Sequence, residues 1–502
     1  MRKLRKLAVL CLALLLLSGC WQEEPETPEL LPPVQEEEEE PPVLLPERFA
    51  LPYSPGQSLN PSTCADGMQQ VAASLLYEGL FRLDAAFTPQ PQLCVSYTYD
   101  PESFRYVFTL RSGILFSDGS LLTGRDVRTS LDLARTSPRY QSRLSEIVSI
   151  SAKDDTVTVV LSGPNSGFPS LLDVPILKSG TQDAAAPVGT GPYFFSEEET
   201  GAYLIANQSW WKNEEQPVDR ISLVDASDHD AMLYRFSSHE VQLIAADLTG
   251  ISPVSTTGSV ACLDAAATLL QYIGCNTARA PLDNPALRRA LSAGINRSYV
   301  AVAFLSGHGT ASHFPVSPAS PLYPKELEEK MPAFSEALVN TGELQRPLTL
   351  LVNQENSFKL AIANYLAETW TAGGLSVEVQ ALPWEEYTAA LAAGNFDLYY
   401  GEARLTADWN LSSLLAPAGT LNYGHWSHPE TSRLLTAYAS AEDRTAAMKA
   451  LCAHLQDQVP ILPVCFKSVS VLTQANVVEG LQPTAAEPFY NLGQCVIHLK
   501  EA

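Results

Sequence analysis

A short stretch in the last quarter of the chain, YYGEARLTADWN, places charged groups among aromatic residues. Arg404 carries a planar fork of donors that suits a carboxylate or a phosphate, whereas Glu402 and Asp408 would attract a cation. Tyr400 and Trp409 would supply aromatic walls, since small-molecule sites combine apolar surface with a few placed polar groups. These residue types predict a ligand-binding site. The alternative is that Arg404 and Glu402 form an ion pair that supports the fold.

Catalytic motifs are missing from the sequence. It contains no GxSxG, no HExxH, no Walker-type loop and no dinucleotide fingerprint. The paired acids Glu385 and Glu386 lie in a predicted helix, where a solvated face explains them. An extracellular hydrolase would need a nucleophile that the sequence does not reveal. We therefore predict a protein that is not an enzyme and carries no cofactor.

The N-terminal residues predict export and attachment to a membrane. Four basic side chains precede an apolar run over 7–17, which is too short to span a bilayer comfortably, and Leu-Ser-Gly-Cys closes it. The pattern resembles the lipobox of bacterial lipoproteins, in which the signal is cut before the cysteine and the thiol carries a diacylglycerol chain. We predict a signal peptide over 1–19 and a lipid on Cys20 that holds the protein at the outer face of the membrane. An ordinary secretory signal or one anchor helix is the alternative.

The segment over 20–48 predicts an extended tether. It is rich in Pro and Glu and cannot bury an apolar face, so it should be solvated and self-repelling. The chain has 32 basic and 56 acidic residues, a net charge of -24, and loss of the predicted signal would make the mature protein more acidic still. This charge argues against nucleic acid as a partner.

The elements that must position the site follow from residue periodicity. FRYVFTLRSGILF and DDTVTVVLSG alternate as strands do, and Thr123 should cap a helix that opens at Asp126. In the second half, PLTLLVN, LSVEVQAL and DLYYGE read as strands that alternate with two helical stretches, which predicts an α/β lobe with βαβ crossovers. The helix PALRRALSAGI should turn Arg288 and Arg289 toward solvent. The seven cysteines after Cys20 are too scattered for a disulfide framework, and we expect most of them to be buried. One or two disulfides are the alternative.

Several stretches, taken in order, resemble one known family. They are the segment over 74–127, PVGTGPYFF, NQSWWKN, NPALRRALSAGINRSYV, NFDLYYGEARL and NYGHWSHPETSRLL. Together they are similar to the family 5 extracellular solute-binding proteins, which are the peptide- and nickel-binding receptors of ABC importers. The order and spacing of the pieces carry the resemblance, which covers nearly all of the chain after the tether.

The resemblance implies an α/β, two-lobed fold of the periplasmic-binding-protein type (type II, cluster C-like), with the ligand cleft between the lobes. It places the crossings between lobes near 269–275 and 466–472. Residues 49–269 with 468–502 would then form the first lobe, and 270–467 the second. Closure gives such a receptor two states, and a permease would recognise the closed, loaded one.

The resemblance also implies a function. The chain would be a monomeric, lipid-anchored receptor that captures a peptide or related small polar solute and delivers it to the permease and ATPase subunits of an ABC importer. In peptide-binding members, an aspartate a few residues before an Asp-Pro pair commonly holds the free amino group of the ligand. If Asp408-Trp409 matches that pair, the anchor falls at or near Leu405, beside Arg404, which would repel an ammonium. We expect Arg404 to bind an anionic group unless Glu402 or Asp408 holds the amine.

Two alternatives remain open at this point. A surface lipoprotein on the same scaffold could sense or adhere without serving a transporter, and the neighbouring genes would distinguish it from an importer receptor. Nickel receptors also belong to the family, so the histidines matter: His308 and His313 lie in a loop, and His425 and His428 would share a face only in a helix. We expect no metal site, because His428 precedes a helix where the family has a structural turn.

Overall fold

The computed structural model describes residues 45–64, 67–249, 259–338, 341 and 344–501. The predicted signal peptide, Cys20 and the tether up to residue 44 lie outside the described residues. From Leu45 onward the chain packs as one unit of mixed α/β structure. This mixture of helices and strands agrees with the predicted α/β fold class.

The strands occupy the ranges β1 Ala50–Tyr53, β2 Phe81–Leu83, β3 Pro89–Pro91, β4 Cys94–Asp100, β5 Arg105–Leu110, β6 Ile147–Lys153, β7 Thr156–Leu161, β8 Tyr193–Glu198, β9 Gly201–Ala206, β10 Arg220–Asp225, β11 Leu243–Ala246, β12 Val260–Cys275, β13 Gly309–Ala311, β14 Leu348–Asn353, β15 Val377–Leu382, β16 Leu398–Arg404, β17 Ile461–Gln474, β18 Val478–Glu479 and β19 Val496–Ile497. The helices occupy the ranges α1 Gly67–Ala73, α2 Gly124–Ala134, α3 His229–Ser237, α4 Pro285–Ala293, α5 Arg297–Ala303, α6 Phe334–Ala337, α7 Ser357–Ala372, α8 Trp384–Ala393, α9 Ser412–Leu415, α10 Pro429–Ser440 and α11 Arg444–Gln458. Short 3₁₀ turns lie at Phe168–Leu171, Lys325–Lys330 and Leu492–Gln494.

The largest sheet has the strand order β11-β17-β12-β16-β14-β15, with β13 paired to β17. Its β14 pairs in parallel with both β15 and β16, and the chain reaches those strands through α7 and α8. The predicted βαβ crossovers are therefore confirmed. Two further sheets, with the orders β1-β10-β9-β8 and β4-β5-β7-β6, come from the first half of the chain.

Two long strands join these parts of the molecule. β12 and β17 pair antiparallel over most of their length, with a shift in register between Ala266 and Leu270. Both predicted crossings, near 269–275 and 466–472, fall on these strands. A break in register locally bends and twists the paired strands, so this pair can serve as a hinge. The lobe boundaries stay a prediction.

The largest sheet separates two hydrophobic cores. Because side chains alternate along a strand, β16 sends Tyr399 and Ala403 into one core and Leu398 and Tyr400 into the other. A separate core in the first half of the chain draws on both ends of the described residues. It packs Phe49 and Leu51 beside Val471, Leu481 and Phe489.

Local predictions are mostly confirmed. Thr123 and Asp126 form a capping box at the start of α2, and His428 caps α10 by accepting from the amide of Glu430. The prediction that Arg288 faces solvent is wrong. Arg288 is 2 % exposed and donates to the carbonyls of Leu282, Gln458 and Val459. Its long stem lies along the apolar face while the guanidinium satisfies carbonyls at the end of α11.

The cysteines follow the prediction with one exception. Six of the seven in the described residues are buried, whereas Cys262 on β12 is exposed. Its neighbours in space are described below.

Candidate ligand-binding site

The predicted site residues lie at the end of β16 and in the turn that follows. Arg404 pairs with Leu269 of β12, and the amide of Leu405 donates to the carbonyl of Thr268 at 2.9 Å. The chain then turns, and Trp409 adopts a left-handed backbone conformation with φ at 52°. The strand thus fixes Glu402 and Arg404 on one face, while the turn directs Asp408 and Trp409 elsewhere.

Tyr400 lies inside the protein. Its side chain is 2 % exposed, and its hydroxyl is buried with no hydrogen-bond partner among the described residues. Burial raises the pKa of this phenol, with Cys465 and Glu402 adding to the effect. The ring packs against core side chains, and this position does not favour contact with a ligand. Ligand contact by Tyr400 stays a prediction.

Glu402 is held by two lysines. Its carboxylate accepts from Gln271 Nε2 at 2.8 Å and lies 3.5 Å from Lys359 Nζ and 3.9 Å from Lys467 Nζ. The Lys467 side chain is only 4 % exposed, and Lys359 is 15 % exposed. Burial lowers the pKa of Lys359, and Glu402 opposes that shift. The negative charge of Glu402 is therefore already balanced by these two lysines, and Arg404 is not its partner.

Arg404 is exposed at the end of β16. Within the described part of the chain, its guanidinium forms no hydrogen bond and no ion pair. The alternative of a structural Arg404–Glu402 pair is thus not realised. The donors of Arg404 remain available to a ligand, and contact with an anionic group stays a prediction.

Asp408 lies where the two predicted lobes meet, and it is 1 % exposed. Asn165, from the first lobe, donates to Asp408 Oδ2 at 2.9 Å, while Thr406 and the amide of Asn410 donate to Oδ1. The backbone carbonyl of Asp408 accepts from Tyr438 at 2.6 Å, within the second lobe. The second lobe thus holds the backbone and Oδ1 of Asp408, and the first lobe holds Oδ2.

A second carboxylate shares this contact. Asn165 Nδ2 also donates to Glu146 Oε2 at 2.9 Å, and Asn410 Nδ2 donates to Glu146 Oε1 at 3.1 Å. Burial raises the pKa of Glu146, and the charge of Asp408 raises it further. No lysine, arginine or histidine of the described residues forms a direct ion pair with Glu146 or Asp408. Two arginines lie nearby: Arg143 pairs with Asp173, and Arg444 donates to the backbone carbonyl of Asp408. Burial lowers the pKa of Arg143, and the charge of Asp408 opposes that shift. The contact between the lobes therefore holds two carboxylates without a direct ion pair.

Trp409 packs on the apolar side of the contact between the predicted lobes. Its ring lies 5.2 Å from that of Phe87 in the first lobe and 5.9 Å from that of Phe466 on β17, both edge to face. The side chain is 1 % exposed. Trp409 packs between the lobes, and its role as a wall of the ligand site stays a prediction.

Sequence reasoning did not find four polar residues of this region. Glu146 and Asn165 lie more than 240 positions before their partners in the second lobe, and nothing in their local sequence marks them. Of the two lysines, Lys467 does carry a signal in its local sequence. Lys467 interrupts the apolar strand ILPVCFKSVSVLTQ, and a lone lysine in a buried strand is a recognisable signal for a buried charge partner.

Comparison with known proteins decides the family. Residues 88–422 match the model of the bacterial extracellular solute-binding proteins, family 5, middle region. The chain belongs to this family. Family 5 proteins act outside the cytoplasm on solutes, which agrees with the predicted export. Among the described residues, no helix is long and apolar enough to cross a membrane.

Individual relatives are distant but cover most of the chain. The glutathione-binding protein GsiB of Pectobacterium atrosepticum is 25 % identical over 457 residues, which span 84 % of this chain and 88 % of that protein. The unliganded open form of the periplasmic murein tripeptide-binding protein MppA has a TM-score of 0.73 at 19 % identity, covering 90 % and 98 % of the two chains. A nickel ABC transporter protein from Bacillus halodurans has a TM-score of 0.73 at 18 % identity, covering 90 % and 100 %. The predicted two-lobed fold of this family 5 protein is therefore confirmed.

Proposed function

We propose that this protein is the receptor subunit of an ABC importer, anchored through Cys20, and that it captures short peptides by closing its lobes. Its relatives include a glutathione-binding and a murein tripeptide-binding protein. Glutathione is itself a tripeptide, so both names point to small ligands that carry amino and carboxyl groups. No catalytic step belongs to this proposal.

The observation that carries the proposal is the pair of carboxylates between the lobes that has no direct ion-pair partner. Glu146 and Asp408 share one amide donor, Asn165, and have no cationic side chain of the described residues as an ion-pair partner. A carboxylate removed from water without a direct ion-pair partner is costly, and an ammonium would supply both charge and donors. The amino group of a peptide is therefore the natural complement of this contact.

Asp408 is the residue that we assign to the amine. Glu402 already has Lys359 and Lys467 as partners, so it has less to gain from a ligand cation. Leu405, at the position first expected for the anchor, carries no charge. Asp408 is held by donors from both lobes, so a ligand bound to it would stabilise their approach.

Arg404 supplies the opposite charge in this proposal. Its exposed guanidinium is free of partners among the described residues and suits the carboxylate of a peptide. A receptor with an acidic contact and a separate arginine would select zwitterionic ligands over ligands with a single charge. Small peptides have this charge pattern.

The test is calorimetry with tri-alanine and glutathione, and with their N-acetylated and C-amidated forms. Asp408→Asn should weaken binding of the free-amine peptides by about 2 to 5 kcal/mol, because a charge pair in a buried site is lost. N-acetylated peptides should bind weakly to both proteins, with no further loss in the variant. Asp132→Asn, on the exposed surface of α2, is the matched control and should bind as wild type.

Two results would contradict the proposal. If neither peptide binds wild type, and mass spectrometry finds a ligand without an amino group in the purified protein, the peptide assignment fails. If tri-alanine binds but N-acetylation has no effect, the peptide assignment stands and Asp408 is not the amine anchor. Genes for a permease and an ATPase beside this one favour the importer over a sensing or adhesive lipoprotein.

A further inference from the structure

Cys262, the exposed cysteine, lies in a cluster with a carboxylate and an imidazole. Cys262 and Asp264 are on the same face of β12, two residues apart. His308 approaches them from the loop before β13. The sequence placed His308 in a loop, and the fold brings its imidazole to Asp264 of β12. This cluster is separate from the acidic contact between the lobes.

The geometry of the cluster is close. His308 Nδ1 lies 2.9 Å from Asp264 Oδ2, and Cys262 Sγ lies 3.8 Å from Asp264 Oδ1. One ligand atom from each of the three side chains lies within 4.8 Å of the other two. Ser470 on β17 donates to Asp264 Oδ1 at 2.6 Å and orients the carboxylate. The Asp264 and His308 side chains are 32 % and 22 % exposed, so an ion from solution can reach them.

These atoms suit a borderline transition metal ion. Thiolate, imidazole and carboxylate are the ligands of Zn²⁺, with bonds of about 2.0 to 2.3 Å. Tetrahedral coordination at those lengths places the ligand atoms about 3.3 to 3.7 Å apart. The nitrogen–oxygen distance of 2.9 Å is slightly shorter than this range and the sulfur–oxygen distance of 3.8 Å is close to its upper end, so small adjustments would bring the atoms to it. Mg²⁺ and Ca²⁺ prefer oxygen ligands only and fit this set poorly.

We infer that Cys262, Asp264 and His308 form a Zn²⁺-binding site, with the fourth position open to water or to another ligand. Ser470 is a positioning residue that holds the carboxylate.

The site also lies beside the predicted hinge between the lobes. Cys262 and Asp264 precede the break in register of β12 and belong to the predicted first lobe, whereas His308 belongs to the predicted second lobe. The carbonyl of His308 accepts from the amide of Ser468, where the chain returns to the predicted first lobe. A bound ion would therefore connect the two sides of the hinge.

The experiment uses the full chain in detergent, stripped of metal by a chelator and kept reduced. Zn²⁺ binding is measured by competition with a chromogenic chelator, and Co²⁺ serves as a spectroscopic probe. Wild type should bind a single Zn²⁺ ion at this site, and bound Co²⁺ should show the charge-transfer absorption of a cobalt–thiolate bond. Cys262→Ser should abolish that absorption, and His308→Gln should weaken Zn²⁺ binding by at least about tenfold. Ser470→Ala should weaken binding and keep the absorption.

His498→Gln is the matched control. His498 lies 3.2 Å from Glu479 on the surface, as a histidine–carboxylate pair without a thiol, and its loss should change nothing. The inference is overturned if wild type binds no Zn²⁺ at micromolar concentration. It is also overturned if Cys262→Ser and His308→Gln bind Zn²⁺ as wild type does, because the ion would then lie elsewhere, for example on the acidic segment over 36–40. Cys262 is exposed and His308 is partly exposed, whereas Ser470 is buried, and circular dichroism checks that each variant is folded.

Discussion

Replacing Glu146 by glutamine should change stability and ligand affinity in opposite directions. Glu146 Oε2 and Asp408 Oδ2 each lie 2.9 Å from the same nitrogen of Asn165, so they are at most about 5.8 Å apart, twice that distance. At about 5 Å and an effective dielectric constant near 20, two ionised carboxylates repel by about 3 kcal/mol. Glutamine removes this repulsion and gives up one hydrogen bond, worth about 1 kcal/mol. The free energy of unfolding without ligand should therefore rise by about 2 kcal/mol.

Peptide affinity should fall in the same variant. An ammonium bound at Asp408 would lie within a similar distance of Glu146 and lose about 3 kcal/mol of attraction, which is roughly a hundredfold in Kd. Urea denaturation measures the first effect and calorimetry with tri-alanine the second, both at mildly alkaline pH. Glu385→Gln, on the exposed face of α8, is the control and should change neither quantity. If Glu146→Gln lowers stability and leaves affinity unchanged, Glu146 is a structural hydrogen-bond acceptor and the electrostatic reasoning is wrong.

Four further outcomes are expected. Burial and the charge of Asp408 raise the pKa of Glu146 in the folded protein. The contribution of Glu146 to the free energy of unfolding is therefore fully present below its pKa in the unfolded chain and is lost as pH rises through its pKa in the folded protein. Urea denaturation at several pH values across that range should show this loss of stability in wild type and not in Glu146→Gln. Calorimetry with C-terminally free and amidated tri-alanine should show Arg404→Ala losing about 2 to 5 kcal/mol of affinity for the free form only, with Arg404→Lys in between, whereas equal Kd values would make Arg404 a scaffold residue. Cys20→Ser should leave an unlipidated protein, released or unprocessed, and unchanged labelling with a radioactive lipid would refute the lipobox. Arg288→Ala should lower the free energy of unfolding by at least about 3 kcal/mol, because it leaves buried carbonyls unpaired, whereas Arg289→Ala, whose guanidinium meets Asp457 at the surface, should cost little; similar losses would contradict the buried placement.

Patterns that act over short distances could be predicted from the sequence. The alternation of PLTLLVN and the helical run that follows it are local properties, and the structure confirms β14 and α7. The capping of α2 by Thr123 and Asp126 is likewise set by residues three positions apart. Periodicity failed at Arg288, because an arginine can cover an apolar surface with its stem and still satisfy its charge among carbonyls.

The candidate site could be predicted only in part. The charged and aromatic segment at the end of β16 drew attention to Asp408, but its partners Asn165 and Glu146 come from a different sheet, and no local pattern connects them. Both faces of β16 meet a hydrophobic core, so alternation along the strand does not show which core holds Tyr400. That depends on the elements that pack on each face, and they come from distant parts of the chain. Contacts between lobes are a property of tertiary structure, and a single sequence does not record them.

The core shared by both ends of the described chain has a consequence for how the protein is made. Phe49 and Leu51 pack against Val471, Leu481 and Phe489, which are synthesised last. Contacts between such distant residues form slowly, because the loop between them must first be closed. This core therefore cannot be completed until synthesis of the chain is nearly finished. If the predicted signal peptide directs the unfolded chain across a membrane, this delay would keep the chain competent for export for longer.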